Sequence, residues 1–313
     1  MHENKPRPVR IALIQQAELA PDPERNKADL CRVIDQLAGD ADFVMPTELA
    51  TTPYFGAVHD RSLEAWADTL DGSFLARIKD IAAHRRCTVL LPIYLKSADG
   101  MFVNAVVVVG PDGRLVQGHV RGREPVSYFA KVHLPSARRD GKGIDEPFYF
   151  QRGDCFPVFE TPLGRIGILT CYDRRFPEAW RSLALAGAEL IFMPSCVPAW
   201  RPSAKASTGD MFLAELRTRA CENGVFVAAC NRVGDQTFQN TVTHFIGGSC
   251  VIDPAGGLVD EAPATSAANL TVGIDLDDVR RVRRRLTLLD DRQVDAYDLQ
   301  ARRRSPNPRQ DHA

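Results

Sequence analysis

Apolar runs of strand length alternate with amphipathic helical segments along most of the chain. Residues 9–15 form an apolar run typical of a buried strand, and residues 24–37 place Leu30, Ile34 and Leu37 on one helical face. The same pattern predicts strands at 41–45, 87–94, 102–109, 115–120, 166–170, 189–193, 225–231, 249–252 and 270–274, and helices at 74–85, 177–186, 206–223 and from Asp277 onward. Strands and helices interleave without a break in composition, which favours one α/β domain over two.

One turn signal predicts how the strands are arranged. Residues 102–109 and 115–120 flank Pro111-Asp112-Gly113, a sequence typical of hairpin turns. A hairpin joins antiparallel strands, so we expect mixed sheets and not a purely parallel one. Residues 121–154 follow as a loop-rich middle.

Composition and charge limit the kinds of molecule that the protein is expected to bind. The 313 residues are 44% hydrophobic and 25% charged, with a formal net charge of -1, as in ordinary globular proteins. Such a chain has no global attraction for nucleic acid or anionic lipid, and binding would need a local basic patch at 280–285 or 302–304. Asp290, Asp291 and Asp295 favour pairing within the protein instead. We therefore expect neither a nucleic-acid nor a membrane partner.

The chain start and the cysteines indicate the compartment. Residues 1–8 are polar and contain two prolines, so we expect a disordered or extended segment, and the apolar run 11–14 is too short for a signal or membrane segment. Eight scattered cysteines form no CxxC pair, which predicts neither a zinc site nor a disulfide scaffold. A reducing cytoplasm is the expected location.

The most informative segment for chemistry is residues 164–178. An apolar strand pattern ends in Cys171, and a helix is predicted to begin near Pro177. Enzymes with α/β folds present nucleophiles in this way, at the carboxyl end of a strand. We expect the thiol to be partly exposed and close to backbone N–H donors. The alternative is a small buried hydrophobic residue, as most free cysteines are.

Two further segments carry residues suited to the same chemistry. Glu48 directly follows a hydrophobic strand, where burial could raise its pKa and suit it to act as a base. Lys131 and His133 are two positions apart, and so lie on one side of an extended segment. The simpler alternatives are a solvated carboxylate and a loop with one charged face.

Together these motifs resemble the nitrilase superfamily of carbon–nitrogen hydrolases. The resemblance spans about 9–274 and carries the motifs in the family's order and spacing: Pro-Thr-Glu48, Lys131-x-His133-Leu-Pro135, Glu146 before Tyr149-Phe150-x-x-Gly153-Asp154, Cys171-Tyr172-Asp173, and Asn231-Arg-Val-Gly234. It implies a four-layer α-β-β-α sandwich, in which two mixed β-sheets pack face to face between outer helices. It also implies hydrolysis of nitriles, amides or carbamoyl amines, or transfer of acyl groups.

The resemblance assigns catalytic roles. Cys171 is the expected nucleophile and Glu48 the general base that takes its proton. Lys131 and the backbone N–H of Tyr172 are the expected oxyanion donors, each contributing about 3–4 kcal/mol if they behave as in other oxyanion holes. Glu146 resembles the family's second carboxylate, which orients Lys131, and its alternative is a solvated loop acid. The chemistry requires no metal or other cofactor.

Arginines after the nucleophile point to the substrate. Arg174 and Arg175 suggest an anionic small molecule, because guanidinium groups match the planar geometry of a carboxylate. The surrounding run resembles that of N-carbamoyl-D-amino-acid hydrolases, in which these arginines hold the substrate carboxylate. The alternative is that either arginine forms a structural ion pair with Asp173 or Glu178.

The chain also departs from that subgroup. The subgroup's histidine before the second glutamate is absent from residues 143–146, and its Asn-Thr before a proline is replaced at Cys196. These differences weaken the expectation of D-amino-acid specificity. Cys196 remains a candidate for lining the pocket, and His133 is either a substrate contact or a satisfied core histidine.

The leading hypothesis is hydrolysis of an N-carbamoyl amino acid to the amino acid, ammonia and carbon dioxide. An ω-amidase or aliphatic amidase is second, a nitrilase third, and a catalytically silent binding module is the non-enzyme alternative. Rapid labelling of Cys171 by iodoacetamide would argue against the last, since activation lowers a thiol's pKa. We expect one domain over 9–279, and a basic tail over 280–313 that serves as an interface arm in a homodimer or homotetramer.

Overall fold

Two mixed β-sheets form the centre of the structure, a computed structural model that describes residues 6–137, 143–200 and 207–298. The strands are β1 (Pro8–Gln15), β2 (Phe43–Pro46), β3 (Thr88–Lys96), β4 (Phe102–Val109), β5 (Gly118–His119), β6 (Phe129–Ala130), β7 (Val158–Thr161), β8 (Gly164–Ile168), β9 (Leu190–Ser195), β10 (Phe226–Asn231), β11 (Val233–Phe238), β12 (Thr241–Ile246), β13 (Cys250–Ile252), β14 (Leu258–Glu261) and β15 (Ala268–Asp275). The helices are α1 (Pro23–Leu37), α2 (Ser73–Arg85), α3 (Pro177–Leu185), α4 (Thr208–Asn223) and α5 (Asp277–Arg285).

The strand order explains the mixture of parallel and antiparallel pairs. The first sheet runs β15-β1-β2-β3-β4-β6 and the second β14-β13-β10-β9-β8-β7-β5, while β11 and β12 form a separate ribbon. Parallel pairing joins β1, β2 and β3 in the first sheet and β8, β9 and β10 in the second. The remaining pairs within these sheets are antiparallel.

Alternating side chains on the strands separate the layers. On β1, Ile11 and Leu13 enter the core between the sheets, whereas Ala12 and Ile14 face the core that includes α1 and α2. A third core joins the outer face of the second sheet to α3 and α4. The chain therefore folds as the predicted four-layer α-β-β-α sandwich.

The predicted hairpin after β4 is only partly present. The turn forms, with Gly113 at a φ of +75° and the Val116 N–H donating to the Val108 carbonyl at 2.9 Å. A single antiparallel bridge, Val109–Leu115, follows, and β5 then pairs with β7 in the second sheet. The prediction of a strand over 115–120 beside β4 is therefore wrong, because the chain crosses between sheets instead of extending the hairpin.

Sequence periodicity misses five strands, namely β6, β7, β11, β12 and β14. The β14 side chains are all exposed, and the β11–β12 ribbon has many exposed positions, so the apolar signal is weak. The predicted helix over 206–223 begins at Thr208, with the Ser207 side chain accepting from the Asp210 N–H; residue 206 lies outside the described residues.

The structure describes part of each predicted terminal segment, 1–8 and 280–313. Arg7 forms an ion pair with Glu189 at 2.6 Å next to the start of β1, while residues 1–5 lie outside the described part. Arg283 of α5 donates to the carbonyls of Gly224 and Ala188 within this chain. The interface role of 280–313 stays a prediction, and residues 299–313, including the basic patch 302–304, lie outside the described residues. Over the three described ranges, no helix is long and apolar enough to cross a bilayer.

The contact between the sheets provides a test of the sandwich. Phe192 is fully buried and its ring lies 5.3 Å from that of Phe43 across the two sheets. We expect Phe192→Ala to lower the free energy of unfolding by about 3–5 kcal/mol, because it leaves a cavity. Chemical denaturation measures this, and Met101→Ala, at a position that is 43% exposed, is the control. Equal losses in the two variants would contradict this packing.

Candidate active site

Cys171 lies on a strained turn just after β8. Its φ of +47° lies in the left-handed region that non-glycine residues rarely adopt. Asp173 stabilises the turn: its N–H donates to the Thr170 carbonyl at 2.9 Å, and its Oδ2 accepts from the Thr170 N–H at 3.1 Å. The turn continues as a short 3₁₀ helix over Cys171–Arg175, which leads into α3.

A buried guanidinium holds the nucleophile's backbone. Arg174 Nη1 donates to the Cys171 carbonyl at 3.0 Å, and the Arg174 carbonyl accepts from Trp180 Nε1 at 3.0 Å. Cys171 itself is 8% exposed. The prediction of a partly exposed thiol is therefore wrong, because the sheets and α3 enclose the turn.

Glu48 follows β2 and is fully buried, and both oxygens of its carboxylate accept hydrogen bonds. Its Oε1 accepts from Lys131 Nζ and from Asn104 Nδ2, both at 2.8 Å. Its Oε2 accepts from the Cys196 N–H at 2.9 Å. The donors are carried by three different strands or their ends: Lys131 follows β6, Asn104 lies on β4 and Cys196 follows β9. The Glu48 carboxylate is therefore held in one orientation.

Lys131 lies between two carboxylates. Its Nζ donates to Glu146 Oε1 at 2.8 Å as well as to Glu48, and all three side chains are buried. Tyr54 Oη also donates to Glu146 Oε1, at 2.9 Å. Glu146 Oε2 is buried and makes no hydrogen bond to any described residue. The alternative of a solvated loop acid is therefore wrong for Glu146.

Burial and charge set the protonation states of this group. Burial and the neighbouring Glu48 raise the pKa of Cys171 to about 12. Burial raises the pKa of Glu146, and the charge of Glu48 adds to the effect although Lys131 opposes it. Burial alone would lower the pKa of Lys131, but Glu146 and Glu48 raise it well above its usual value. Lys131 is therefore cationic and Cys171 is a thiol at neutral pH.

This arrangement suits an assisted nucleophile. A thiol with a raised pKa attacks efficiently only when a base takes its proton during the attack, and Glu48 is the neighbouring carboxylate. The cation of Lys131 can stabilise an oxyanion as it develops. The expectation that activation lowers the pKa of the resting Cys171 thiol is wrong. Among the described residues, no group of three or more His, Cys, Asp and Glu side chains could hold a metal ion.

The two arginines after the nucleophile share one protein carboxylate. Arg174 Nε donates to Glu215 Oε2 at 2.9 Å and Arg175 Nη1 to Glu215 Oε1 at 2.5 Å. Glu215 lies on α4, so neither of the proposed structural partners, Asp173 and Glu178, is the one observed. Arg174 is 4% exposed and holds the Cys171 carbonyl, which revises its predicted role as a substrate ligand. Arg175 is more open, with 24% of its side chain exposed.

The remaining residues that were predicted to contact the substrate are His133, Cys196 and Tyr172. His133 donates its N–H to Asp173 Oδ1 at 2.9 Å, places Nδ1 2.7 Å from the same oxygen, and stacks on Phe176. Cys196 uses its N–H on Glu48 and directs Sγ toward the Glu48 carbonyl at 3.2 Å. Both residues thus support the catalytic group. Tyr172 is exposed at its side chain.

Sequence analysis missed three residues of the site. Asn104 is the single polar residue within the apolar run of β4, a signal that could have identified it. Tyr54 lies in a loop and Glu215 on a helix, and neither carries a local pattern that distinguishes it. Each acquires its role only through contacts distant in sequence.

Comparison with known proteins agrees with the chemistry that this geometry suits. The sequence pattern of the family described as carbon-nitrogen hydrolase matches residues 10–284. An N-carbamoylputrescine amidase from Arabidopsis thaliana is 29% identical over 229 residues, 71% of each chain. An (R)-stereoselective amidase from Pseudomonas sp is 29% identical over 91% of this chain and 92% of its own. The crystal structure of a carbon-nitrogen hydrolase from Helicobacter pylori G27 has a TM-score of 0.81 at 25% identity, covering 93% of this chain and 97% of that one.

The position of Glu48 predicts how Cys171 reacts. We expect Glu48→Gln to slow alkylation of Cys171 by iodoacetamide at pH 7 by about 100-fold, because an amide cannot accept the thiol proton. Peptide mass spectrometry measures the rate at each cysteine, and half-buried Cys155 is the internal reference. An unchanged Cys171 rate would exclude Glu48 as the base.

Proposed function

The chain belongs to the carbon-nitrogen hydrolase family, and on this basis we propose that it hydrolyses an N-carbamoyl amino acid to the amino acid, ammonia and carbon dioxide. The observation that carries the proposal is the buried lysine between two carboxylates beside the Cys171 thiol. The similarity to an N-carbamoylputrescine amidase supports a carbamoyl group as the reacting part.

The first half of the reaction forms a covalent intermediate. Cys171 Sγ bonds to the carbonyl carbon of the ureido group while its proton passes to Glu48. Lys131 stabilises the oxyanion on the carbonyl oxygen. The bond from that carbon to one nitrogen then breaks, and the proton held by Glu48 passes to this nitrogen, which leaves as a neutral amine or ammonia.

The second half releases the enzyme. Glu48 takes a proton from water as the water oxygen bonds to the thioester carbon, and the C–S bond breaks with return of that proton to Cys171 Sγ. The product is a carbamic acid, which decomposes to carbon dioxide and the second nitrogen product. One water is consumed for each amino acid, ammonia and carbon dioxide formed.

Glu146 contributes an acceptor to this cycle. Its Oε2 is buried without a hydrogen bond from any described residue, so it can accept an N–H from the substrate or the leaving group. The raised pKa of Glu146 also favours proton exchange at this carboxyl.

Hydrolysis of a simple amide is the second candidate. It is favoured by the pairing of both arginines with Glu215, which leaves the predicted carboxylate clamp occupied within the protein. The similarity to an (R)-stereoselective amidase over most of the chain gives it further support.

Ammonia release by the purified protein distinguishes the two candidates. We expect turnover of N-carbamoyl amino acids with equal yields of ammonia and amino acid, because both nitrogens of the ureido group are released. Matched N-carbamoyl-D-, L- and β-amino acids, ω-amides and nitriles form the panel, and Cys171→Ala provides the blank. Release from amides alone would replace the proposal with the second candidate.

The role of Arg175 is testable by comparing substrates. If a substrate carboxylate binds Arg175, Arg175→Ala should raise KM for N-carbamoyl amino acids about tenfold, the loss of a charged hydrogen bond. Glu215→Gln should lower the same KM, because it removes a competing carboxylate.

The control substrate for both variants is the N-carbamoyl amine that lacks the carboxylate, whose KM should not change. Equal effects of Arg175→Ala on the acid and on the carboxylate-free substrate would make Arg175 a structural residue. That result would also remove the support for an anionic substrate.

A further inference from the structure

Arg232 is a fully buried cation between β10 and β11. Within the described chain it forms no ion pair, and its partners are neutral oxygens. Its Nη2 donates to the carbonyls of Glu48 and Leu49, both at 3.1 Å. Its Nη1 donates to the Thr52 carbonyl at 3.2 Å and to Gln236 Oε1 at 2.9 Å.

Burial of a guanidinium without a carboxylate is costly, so the site that retains it needs a compensating gain. Three of the four acceptors belong to the backbone that directly follows the general base. Leu49, the first residue after Glu48, has a φ of +49°, a left-handed conformation that persists only when its surroundings enforce it. The guanidinium therefore holds the turn that aims Glu48.

The fourth acceptor connects Arg232 to the other carboxylate. Gln236 Oε1 also accepts from the Tyr54 N–H at 3.0 Å, and Gln236 Nε2 donates to the Tyr54 carbonyl at 3.2 Å. The hydroxyl of the same tyrosine donates to Glu146 Oε1. One guanidinium thus orders both carboxylates, directly through the Glu48 backbone and through Gln236 and Tyr54 to Glu146.

Arg232 also balances the formal charge of the buried group. Glu48 and Glu146 carry two negative charges when ionised, and Lys131 supplies only one positive charge. Its positive charge acts on the buried thiols of Cys196 and Cys230, where it opposes the rise in pKa that burial causes. The formal charges of Glu48, Glu146, Lys131 and Arg232 sum to zero when all four side chains are ionised.

We propose that Arg232 is a positioning residue for the hydrolytic reaction, which orders both carboxylates of the site. The proposal rests on the thiol hydrolase function proposed above and does not depend on which amide or carbamoyl substrate is used.

The variants Arg232→Met and Arg232→Lys test the proposal. For Arg232→Met we expect kcat to fall about 100-fold, the cost of a displaced catalytic group, with a much smaller change in KM. A variant that only folded less well would lose active enzyme and keep the kcat of the active fraction.

Arg232→Lys keeps the charge but loses the planar fork. It should recover part of the kcat lost in Arg232→Met, since an ammonium can still donate to backbone carbonyls. The control is Arg283→Met, which removes another guanidinium that binds two backbone carbonyls. All rates are divided by the amount of enzyme whose Cys171 reacts with iodoacetamide after folding is confirmed by circular dichroism.

Two results would overturn the proposal. One is a wild-type kcat in folded Arg232→Met, and the other is an equal loss of kcat in Arg283→Met. If Arg232→Met does not fold, Gln236→Met decides, because it cuts the link to Tyr54 but keeps the charge. It should lower kcat, and an unchanged kcat would contradict the proposal.

A readout without substrate separates this proposal from the proposed function. Alkylation of Cys171 by iodoacetamide at pH 7 should be slower in Arg232→Met than in the wild type, because Glu48 is displaced, and partly recovered in Arg232→Lys. If the wild type hydrolyses no carbamoyl or amide compound, the proposed function fails while the alkylation rates still support or overturn the role of Arg232.

Discussion

The interaction on which the site depends is the placement of Lys131 between two buried carboxylates. Each of these three charges would be costly in the interior without the others, so the segments that carry them must meet. Glu48 follows β2 and Lys131 follows β6, at separate strands of the first sheet, while Glu146 begins a short 3₁₀ helix over Glu146–Phe148. Neutral donors complete the group, with Asn104 and the Cys196 N–H on one carboxylate and Tyr54 on the other. The result is a rigid acceptor of protons with little freedom to reorient.

Cys171, the proposed nucleophile, reaches this group from the opposite sheet. Cys171 follows β8 of the second sheet, so the packing of the two sheets sets the geometry between the thiol and Glu48. The turn at Cys171 has an unfavourable φ, and Asp173 and Arg174 hold it in place. His133, from the segment after Lys131, binds the same Asp173 and so connects the turn of the second sheet to the first. The packing of the two sheets therefore both stabilises the sandwich and aligns Cys171 with Glu48.

In the proposed function, the arginines that follow Cys171 select the substrate. The Glu215 carboxylate, on α4, forms ion pairs with both Arg174 and Arg175. A substrate carboxylate would meet a pair of guanidinium groups that already share one negative charge. Arg174 is buried and holds the Cys171 backbone, whereas Arg175 is more exposed and is therefore the arginine that we propose for the substrate.

The amino-acid sequence by itself determined the order of most strands and helices, the α-β-β-α layering through family resemblance, and the positions of Cys171, Glu48, Lys131 and Glu146. These features follow from periodicity and from short motifs at strand ends, which local backbone geometry makes readable. Only the tertiary structure decided the transfer of β5 to the second sheet, the partner of the two arginines, the burial of the Cys171 thiol and the direction of its pKa. Glu215 lies 40 residues from Arg175, and Glu48 lies 184 residues from Arg232. Such contacts depend on which elements pack together, and no local pattern in the chain records them.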